Sequence, residues 1–200
     1  MIQFKNEIQL KPFIRFKKEY DRAELAKEKH PEAACISSYD CKKKEVDSRY
    51  VNIKYLDGTN FIFFSNYNSP KAIQFNEHKQ MTCVFFWENT QLQIRIKALI
   101  NKTNTQFNSN YFQTRDVKKN ALAISSNQSE PISSYNKVIK KYERTIKIGD
   151  LHKCPEYWGG YSLEPYYFEF WQGHESRINK RDVYECNNSD NNWIYYNIQP

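Results

Sequence analysis

The sequence predicts an α+β fold: an antiparallel sheet that closes into a barrel, with inserted and flanking helices. Three observations carry this reading. Strand-like runs follow one another at hairpin distance; one of them, "QLQIRIKALI", alternates polar and apolar residues throughout; and the helical stretches are few and amphipathic. A chain of 200 residues can bury a core as one domain, 1–200, without disulfide staples.

In chain order, residues 1–11 are polar and read as a flexible arm. Pro12 opens "PFIRFKKEYDRAELAKEKH", where Phe13, Phe16, Tyr20 and Ala23 recur at helical spacing until Pro31. "AACISSYD", "RYVNIKYL" and "FIFFSN" read as three sequential strands, separated by the turn-like "CKKKEVDS" and by "DGTN", whose Asp-Gly is a hairpin signal. Ser69 and Pro70 then occupy the N-cap and first position of a short helix. "MTCVFFWEN" and "QLQIRIKALI" form the next strand pair, the second with Leu92, Ile94, Ile96 and Ala98 on one face. Thr105 to Ser126 reads as mostly helical, and "SSYNKVIKKYERTI" as an amphipathic helix through Tyr135, Val138, Ile139, Tyr142 and Ile146. "SLEPYYFEFWQG", "DVYECNN" and "WIYYNIQ" close the chain as strands, the last two joined by the Asn-rich turn "CNNSDNNW".

Thirty Lys and Arg against 23 Asp and Glu give a net charge of +7, which suits anionic partners, small phosphorylated ligands among them. Five scattered cysteines without C-x-x-C spacing read as the reduced thiols of a cytoplasmic protein. Four histidines without i,i+4 pairing predict no metal site. No signal-peptide core and no membrane-length apolar run is present, so a soluble protein is expected. Dinucleotide, P-loop, nucleophile-elbow, zincin and nucleic-acid signatures are absent from the sequence.

Four stretches are candidates for chemistry. "SNYNSPK" puts Lys71 in the first turn of a capped helix, a plausible phosphate seat, though an ordinary helix start is the commoner cause of such a pattern. In "SRYVNIK", Arg49 and Lys54 have opposite strand parity, so sharing one site requires a bulge or a long reach; strand-end charges usually mean nothing. "YFQTRDVKK" spaces Tyr111 and Arg115 for one helix face, which is more often just solvated. "FEFWQGHESRINKR" delivers Trp171, Arg177 and Arg181 to one strand end, either to stack a planar heterocycle or to cap the core.

Taken together, "SRYVNIKYLDGTNFIFFSNYNSPKAIQFNEH", "FFWENTQLQIRIKALI", "YFQTRD", "SNQSEPI" and "CPEYWGGYSLEPYYFEFWQGHESRINKR" resemble the pyridoxine/pyridoxamine 5′-phosphate oxidases from Pro12 to Pro200. The resemblance implies an FMN-binding split β-barrel that dimerises with flavin at the subunit interface. It implies flavin contacts from Arg49, Tyr50, Val51, Asn52, Ile53 and Lys54, with Lys71, Phe64 and Ser65 at the FMN phosphate. Gln93 would lie near the ring, Gln128 and Ser129 would come from across the interface, and Trp171 and Arg181 would complete the flavin site. Substrate phosphate would fall to Lys54, Tyr111, Arg115 and Lys119, with Arg177 and Asn179 over the pyridine ring as the catalytic pair.

Phe64 and Ser65 stand where the family usually has Tyr-Thr, and "LAISS" precedes Gln128 in place of a Gly-Ala-Trp type sequence; three further departures are more pointed. Pro70 stands where an arginine would assist the FMN phosphate, Lys119 where a serine binds substrate phosphate, and Asn179 where histidine lies over the substrate. Asparagine carries no titrating proton near neutrality, so little pH dependence is expected from position 179. The activity implied is oxidation of pyridoxamine or pyridoxine 5′-phosphate to pyridoxal 5′-phosphate, with O2 reduced to H2O2. The alternatives are a phenazine-biosynthesis type oxidase and a non-catalytic flavin- or pyridoxal-phosphate-binding protein.

Overall fold

The computed structural model describes residues 1–186 and 192–200. In chain order the elements are β1 (Gln3–Lys5), α1 (Lys11–Leu25), β2 (Ala33–Asp40), β3 (Glu45–Asn52), β4 (Tyr55–Asp57), β5 (Asn60–Asn66), α2 (Pro70–Glu77), β6 (Gln80–Trp87), β7 (Leu92–Lys102), α3 (Thr105–Thr114), α4 (Val117–Ser125), α5 (Tyr135–Ile148), β8 (Trp158–Gln172), β9 (Lys180–Cys186) and β10 (Trp193–Ile198). The Asn-rich turn expected between the last two strands lies outside the described residues.

The ten strands form one sheet in the order β1-β4-β5-β8-β7-β6-β2-β3, with β9 on β8 and β10 on β9. Every ladder is antiparallel except β1–β4. The ladder path has two ends, β1 and β3, so among the described residues strand pairing alone does not close a barrel.

The sheet forks at β8. One edge of this 15-residue strand pairs with β7 over Tyr161–Gln172; the other pairs with β5 over Trp158–Leu163 and with β9 over Tyr167–Gln172. Pro165 sits in the gap between those partners, where a residue without an N–H removes no ladder bond, and the β7 register shifts there.

Helix α1 buries Phe13, Phe16, Tyr20 and Ala23, the four positions its periodicity predicts, against Phe61, Phe85, Phe168 and Trp87. These edge-to-face and stacked rings make the centre of the core, and burying each removes roughly 150–250 Å² from water.

Four elements differ from their sequence expectation. Where a flexible arm is expected, residues 3–5 pair in parallel with β4, and the Ile2 N–H donates to the Tyr20 hydroxyl at 2.8 Å. Half of the turn-like "CKKKEVDS" is strand: Asp40 accepts from the Lys42 and Lys43 N–H groups, Lys44 takes a positive φ, and pairing resumes at Glu45. The single strand expected over "RYVNIKYL" is two, broken at Ile53 and Lys54. The helix expected over 105–126 is also two, because Arg115 is extended (ψ 155) and Asp116 caps a new helix by accepting from Lys118 N–H at 2.8 Å.

Candidate functional site

A cleft of about 930 Å³ opens between β3, β5, the start of α2, the α3–α4 corner and the segment after α4. The break after β3 turns Arg49 and Lys54 into the same cleft despite their opposite parity. Arg49, Tyr50, Val51, Asn52, Lys54, Phe64, Ser65, Lys71, Tyr111, Arg115, Lys119, Gln128 and Ser129 all line it. Ile53 does not. Its side chain is fully buried in the core and its N–H donates to the Glu32 carbonyl at 2.9 Å. Gln128 and Ser129, implied to act from across an interface, line the cleft of their own chain, with Ser129 at φ +70.

At one part of the cleft, Ser69 occupies the N-cap of α2 without capping it. Its hydroxyl donates to the Asn66 carbonyl at 2.8 Å and accepts from Lys71 Nζ at 3.2 Å, so it takes none of the first-turn N–H groups. Lys71 is only 6% exposed, and burial pushes it down to about 8, with the neighbouring Arg49 charge adding to the effect and Asp47 opposing it. Arg49 is held from behind: it donates to Ser38 Oγ at 2.5 Å and to the Asp47 carbonyl at 3.0 Å, and pairs with the Asp47 carboxylate. Ser38 in turn donates to Gln74, so β2 and α2 together aim the guanidinium. A buried ammonium beside a fixed guanidinium has the chemistry to seat an anion. Pro70, on the cleft wall, adds no charge to it.

A second set of cations lies at the α3–α4 corner. Lys54 is lowered from its ordinary value by burial, with Lys119 and Arg115 adding to the effect and Glu32 opposing it, which places two further positive groups near enough to act on Lys54. Burial also lowers Arg115, whose guanidinium lies over the Trp158 ring at 4.5 Å and donates to Asn120 Oδ1 at 3.1 Å. Arg115 therefore enters the cleft from the corner between two helices rather than from a continuous helix face. Tyr111 stacks on Phe64, with ring centroids 3.8 Å apart, and Phe64 on Trp158 at 5.2 Å. Burial raises the Tyr111 hydroxyl, which stays protonated as a donor.

Trp158 was not among the residues assigned from sequence, although "WGGY" carries it. Gly159 and Gly160 follow because side chains do not fit: a Cβ on Gly159 would overlap the Tyr67 hydroxyl and the Asn108 amide, and one on Gly160 would come within 2.5 Å of Thr103 Oγ1. Asn108 Oδ1 accepts from the Gly160 N–H at 2.8 Å, and the Tyr67 hydroxyl donates to the Gly160 carbonyl at 3.0 Å.

The remaining predicted residues form a separate group at the far end of β8. Gln93, Trp171 and Arg181 stand side by side across β7, β8 and β9. Arg177 and Asn179 lie in the following loop, Arg177 exposed and at φ +62. The Asn179 side chain is engaged in that loop, Oδ1 accepting from the His174 N–H at 3.0 Å, so here it braces the turn that carries Arg177. Trp171 lies thirteen steps along the strand from Trp158, which is roughly 40 Å if it ran straight at about 3.3 Å per residue. Within one chain, these residues and the cleft are at opposite ends of β8.

No group of three or more His, Cys, Asp or Glu residues able to hold a metal is found among the described residues, and no described helix is long and apolar enough to cross a membrane.

A family model described as the pyridoxine 5′-phosphate oxidase C-terminal dimerisation region matches residues 158–200. The chain is 33% identical over 174 residues to a pyridoxine/pyridoxamine 5′-phosphate oxidase of Bordetella pertussis, covering 87% of this chain and 82% of that one. It is 32% identical over 198 residues to the protein of the same name in Coxiella burnetii, covering 98% and 100%. Among solved structures, PhzG from Burkholderia lata, in complex with tetrahydrophenazine-1-carboxylic acid, superposes with a TM-score of 0.89 at 23% identity, covering 94% of this chain and 92% of that one. A pyridoxamine 5′-phosphate oxidase-related, FMN-binding protein from Nostoc punctiforme superposes with a TM-score of 0.79 at 13% identity, covering 96% and 99%. At those identities the two structures speak for the shared fold.

Proposed function

The chain belongs to the pyridoxine/pyridoxamine 5′-phosphate oxidase family, and on that premise we propose that it is a homodimeric, FMN-dependent oxidase of pyridoxamine or pyridoxine 5′-phosphate. The products are pyridoxal 5′-phosphate and H2O2; when the substrate is the amine, one water is also consumed, supplying the aldehyde oxygen as ammonia leaves. The observation that carries this reading is the presence in one cleft of two cationic sets, Lys71 with Arg49 and Lys54 with Arg115 and Lys119, beside an aromatic wall. Two phosphorylated molecules with planar rings require that arrangement.

Lys71, Arg49 and Ser65 would hold the FMN phosphate, and Lys54, Tyr111, Arg115 and Lys119 the substrate phosphate. The chemistry FMN supplies when bound is acceptance of two electrons from the substrate C4′ and their transfer to O2. The protein's own part is to fix the two rings in register and exclude water; a buried Lys71 at one phosphate and half-buried Lys54, Tyr111 and Arg115 at the other would do this by limiting each molecule to one pose. The second copy supports the reading further. Gln93, Trp171 and Arg181 are too far along β8 to reach the cleft of their own chain, and residues 158–200 match the dimerisation region, so Trp171, Arg177 and Arg181 of the partner subunit would complete the site.

The alternative of a phenazine-type oxidase has fold-level support alone. Three cations at the α3–α4 corner suit a phosphate dianion better than a single carboxylate, which favours the vitamin B6 phosphate. The test is the visible spectrum of FMN-loaded protein mixed anaerobically with pyridoxamine or pyridoxine 5′-phosphate. Bleaching of the flavin band, with O2 uptake on aeration, is the expected result. An unbleached band with both substrates overturns the assignment.

A further inference from the structure

Glu169 is 1% exposed, three residues before the end of β8, on the sheet face that also carries Gln93, Arg95, Trp171 and Arg181. Its carboxylate accepts from every side. Arg181 Nε donates to Oε1 at 2.8 Å and Arg181 Nη2 approaches the same oxygen at 2.7 Å; Arg95 Nη1 donates to Oε2 at 2.8 Å and the Tyr167 hydroxyl to Oε2 at 3.0 Å. The third Arg181 nitrogen, Nη1, donates to the Gln199 carbonyl at 3.0 Å, which anchors the guanidinium to the end of the chain as well. Arg181 is thus immobilised at all three nitrogens, and two arginines share one carboxylate, leaving a net positive charge on this face.

We infer that Glu169 is a positioning residue for the flavin site: it fixes Arg181 in the plane and rotamer in which that guanidinium meets the flavin. The inference rests on the proposed role of Arg181 as a flavin contact. A surface ion pair would contribute little, but here the acceptor is out of water and its geometry is fixed by neighbouring strands, conditions under which a charged hydrogen bond is directional. An arginine released from Glu169 regains its side-chain rotamers, and each binding event must freeze them again. Glutamine at 169 fits the same space, but it turns an N–H2 toward one of the two arginines and accepts with a single oxygen.

The test is a double-mutant cycle read as the FMN dissociation constant of the apoprotein, by quenching of flavin fluorescence, with Glu169→Gln, Arg181→Met and the double variant. Loss of a charge-assisted contact predicts a Kd about tenfold higher for Glu169→Gln and at least tenfold higher for Arg181→Met. The double variant should be no weaker than Arg181→Met alone, since Glu169 acts through Arg181. A role confined to stability would lower the melting temperature without this non-additivity. Penalties that multiply in the double variant, or a Glu169→Gln protein with unchanged Kd beside a weakened Arg181→Met, overturn the inference and leave the proposed function standing. An unchanged Kd in Arg181→Met removes Arg181 from the flavin site and overturns both that assignment and the inference. If Glu169→Gln does not fold, Glu169→Asp, which keeps the charge and retracts it by one methylene, enters the same cycle with the same expectations.

Discussion

Replacing Lys71 by methionine is expected to stabilise the ligand-free protein below pH 8 while weakening its hold on FMN. The native lysine is buried beside Arg49 and is lowered from the ordinary 10.5 to about 8. That difference corresponds to at most about 3 kcal/mol set against the folded state while the group is charged. Between about pH 8 and 10.5 the unfolded chain holds a proton that the native chain has released, so native stability rises with pH across that window. Below it the whole cost is present. Methionine keeps the apolar stem and removes the charge, so the gain should be about 1.5–3 kcal/mol at pH 7 and vanish toward pH 10.5. A bound phosphate reverses the balance by supplying the counter-charge. In the unsubstituted protein the FMN Kd should therefore rise roughly tenfold per pH unit above about 8, and in Lys71→Met it should be larger and flat with pH. Urea unfolding of the apoproteins at pH 7 and pH 9.5, with flavin-fluorescence titrations at the same values, measures both. A variant no more stable than the parent at pH 7, or a stability difference that ignores pH, refutes the reasoning.

On the proposed function, Lys119→Ser should raise the KM for pyridoxamine 5′-phosphate by about tenfold at unchanged kcat, because it removes a cation proposed to hold the substrate phosphate without acting on the reacting atoms; steady-state kinetics check this, and a fall in kcat alone contradicts it. Asp182, 1% exposed, is raised by burial but lowered further by hydrogen bonds from Tyr195, Lys180 and Arg15, for a net fall below 3.8. Its contribution is full above that value and is lost as pH falls through the lower native one, so acid unfolding of Asp182→Asn should show a shallower dependence below pH 4, and an unaltered slope speaks against it. Arg15→Met removes one of the partners of this carboxylate and one cation stacked on Phe170 at 4.2 Å, and should cost about 1–3 kcal/mol in denaturant titrations.

Much of this architecture is legible in the sequence because burial writes it there. The four inward residues of α1, the Asp57-Gly58 hairpin and the alternating face of β7 are local patterns that tertiary packing leaves intact. Breaks are less legible. The interruption after Asn52 depends on Tyr55, Leu56 and Asp57 pairing with β5 and β1, and the corner at Arg115 depends on Asp116 winning the α4 N-cap; neither is visible in hydrophobic period. The same holds for the strand at residues 3–5, whose partner, β4, lies fifty residues away. Of the site, the charged residues could be assigned because their types and spacing match a known pattern. Trp158 and Glu169 carry no such signal of their own in the sequence, since what they do depends on the arginines that other elements bring to them.

The length of β8 has a consequence for mixtures of defective chains. In the proposed dimer, with Trp158 lining the cleft of one site and Trp171 contributing to the other, a single strand would serve both active sites. A chain disabled at Lys71 and a chain disabled at Trp171 would each be inactive alone. Mixed after dissociation and allowed to re-pair at random, they would form hybrids in which one site collects both lesions and its twin collects neither, so about a quarter of all sites would regain function. Complementation between two dead proteins would mark each active site as the joint property of two chains.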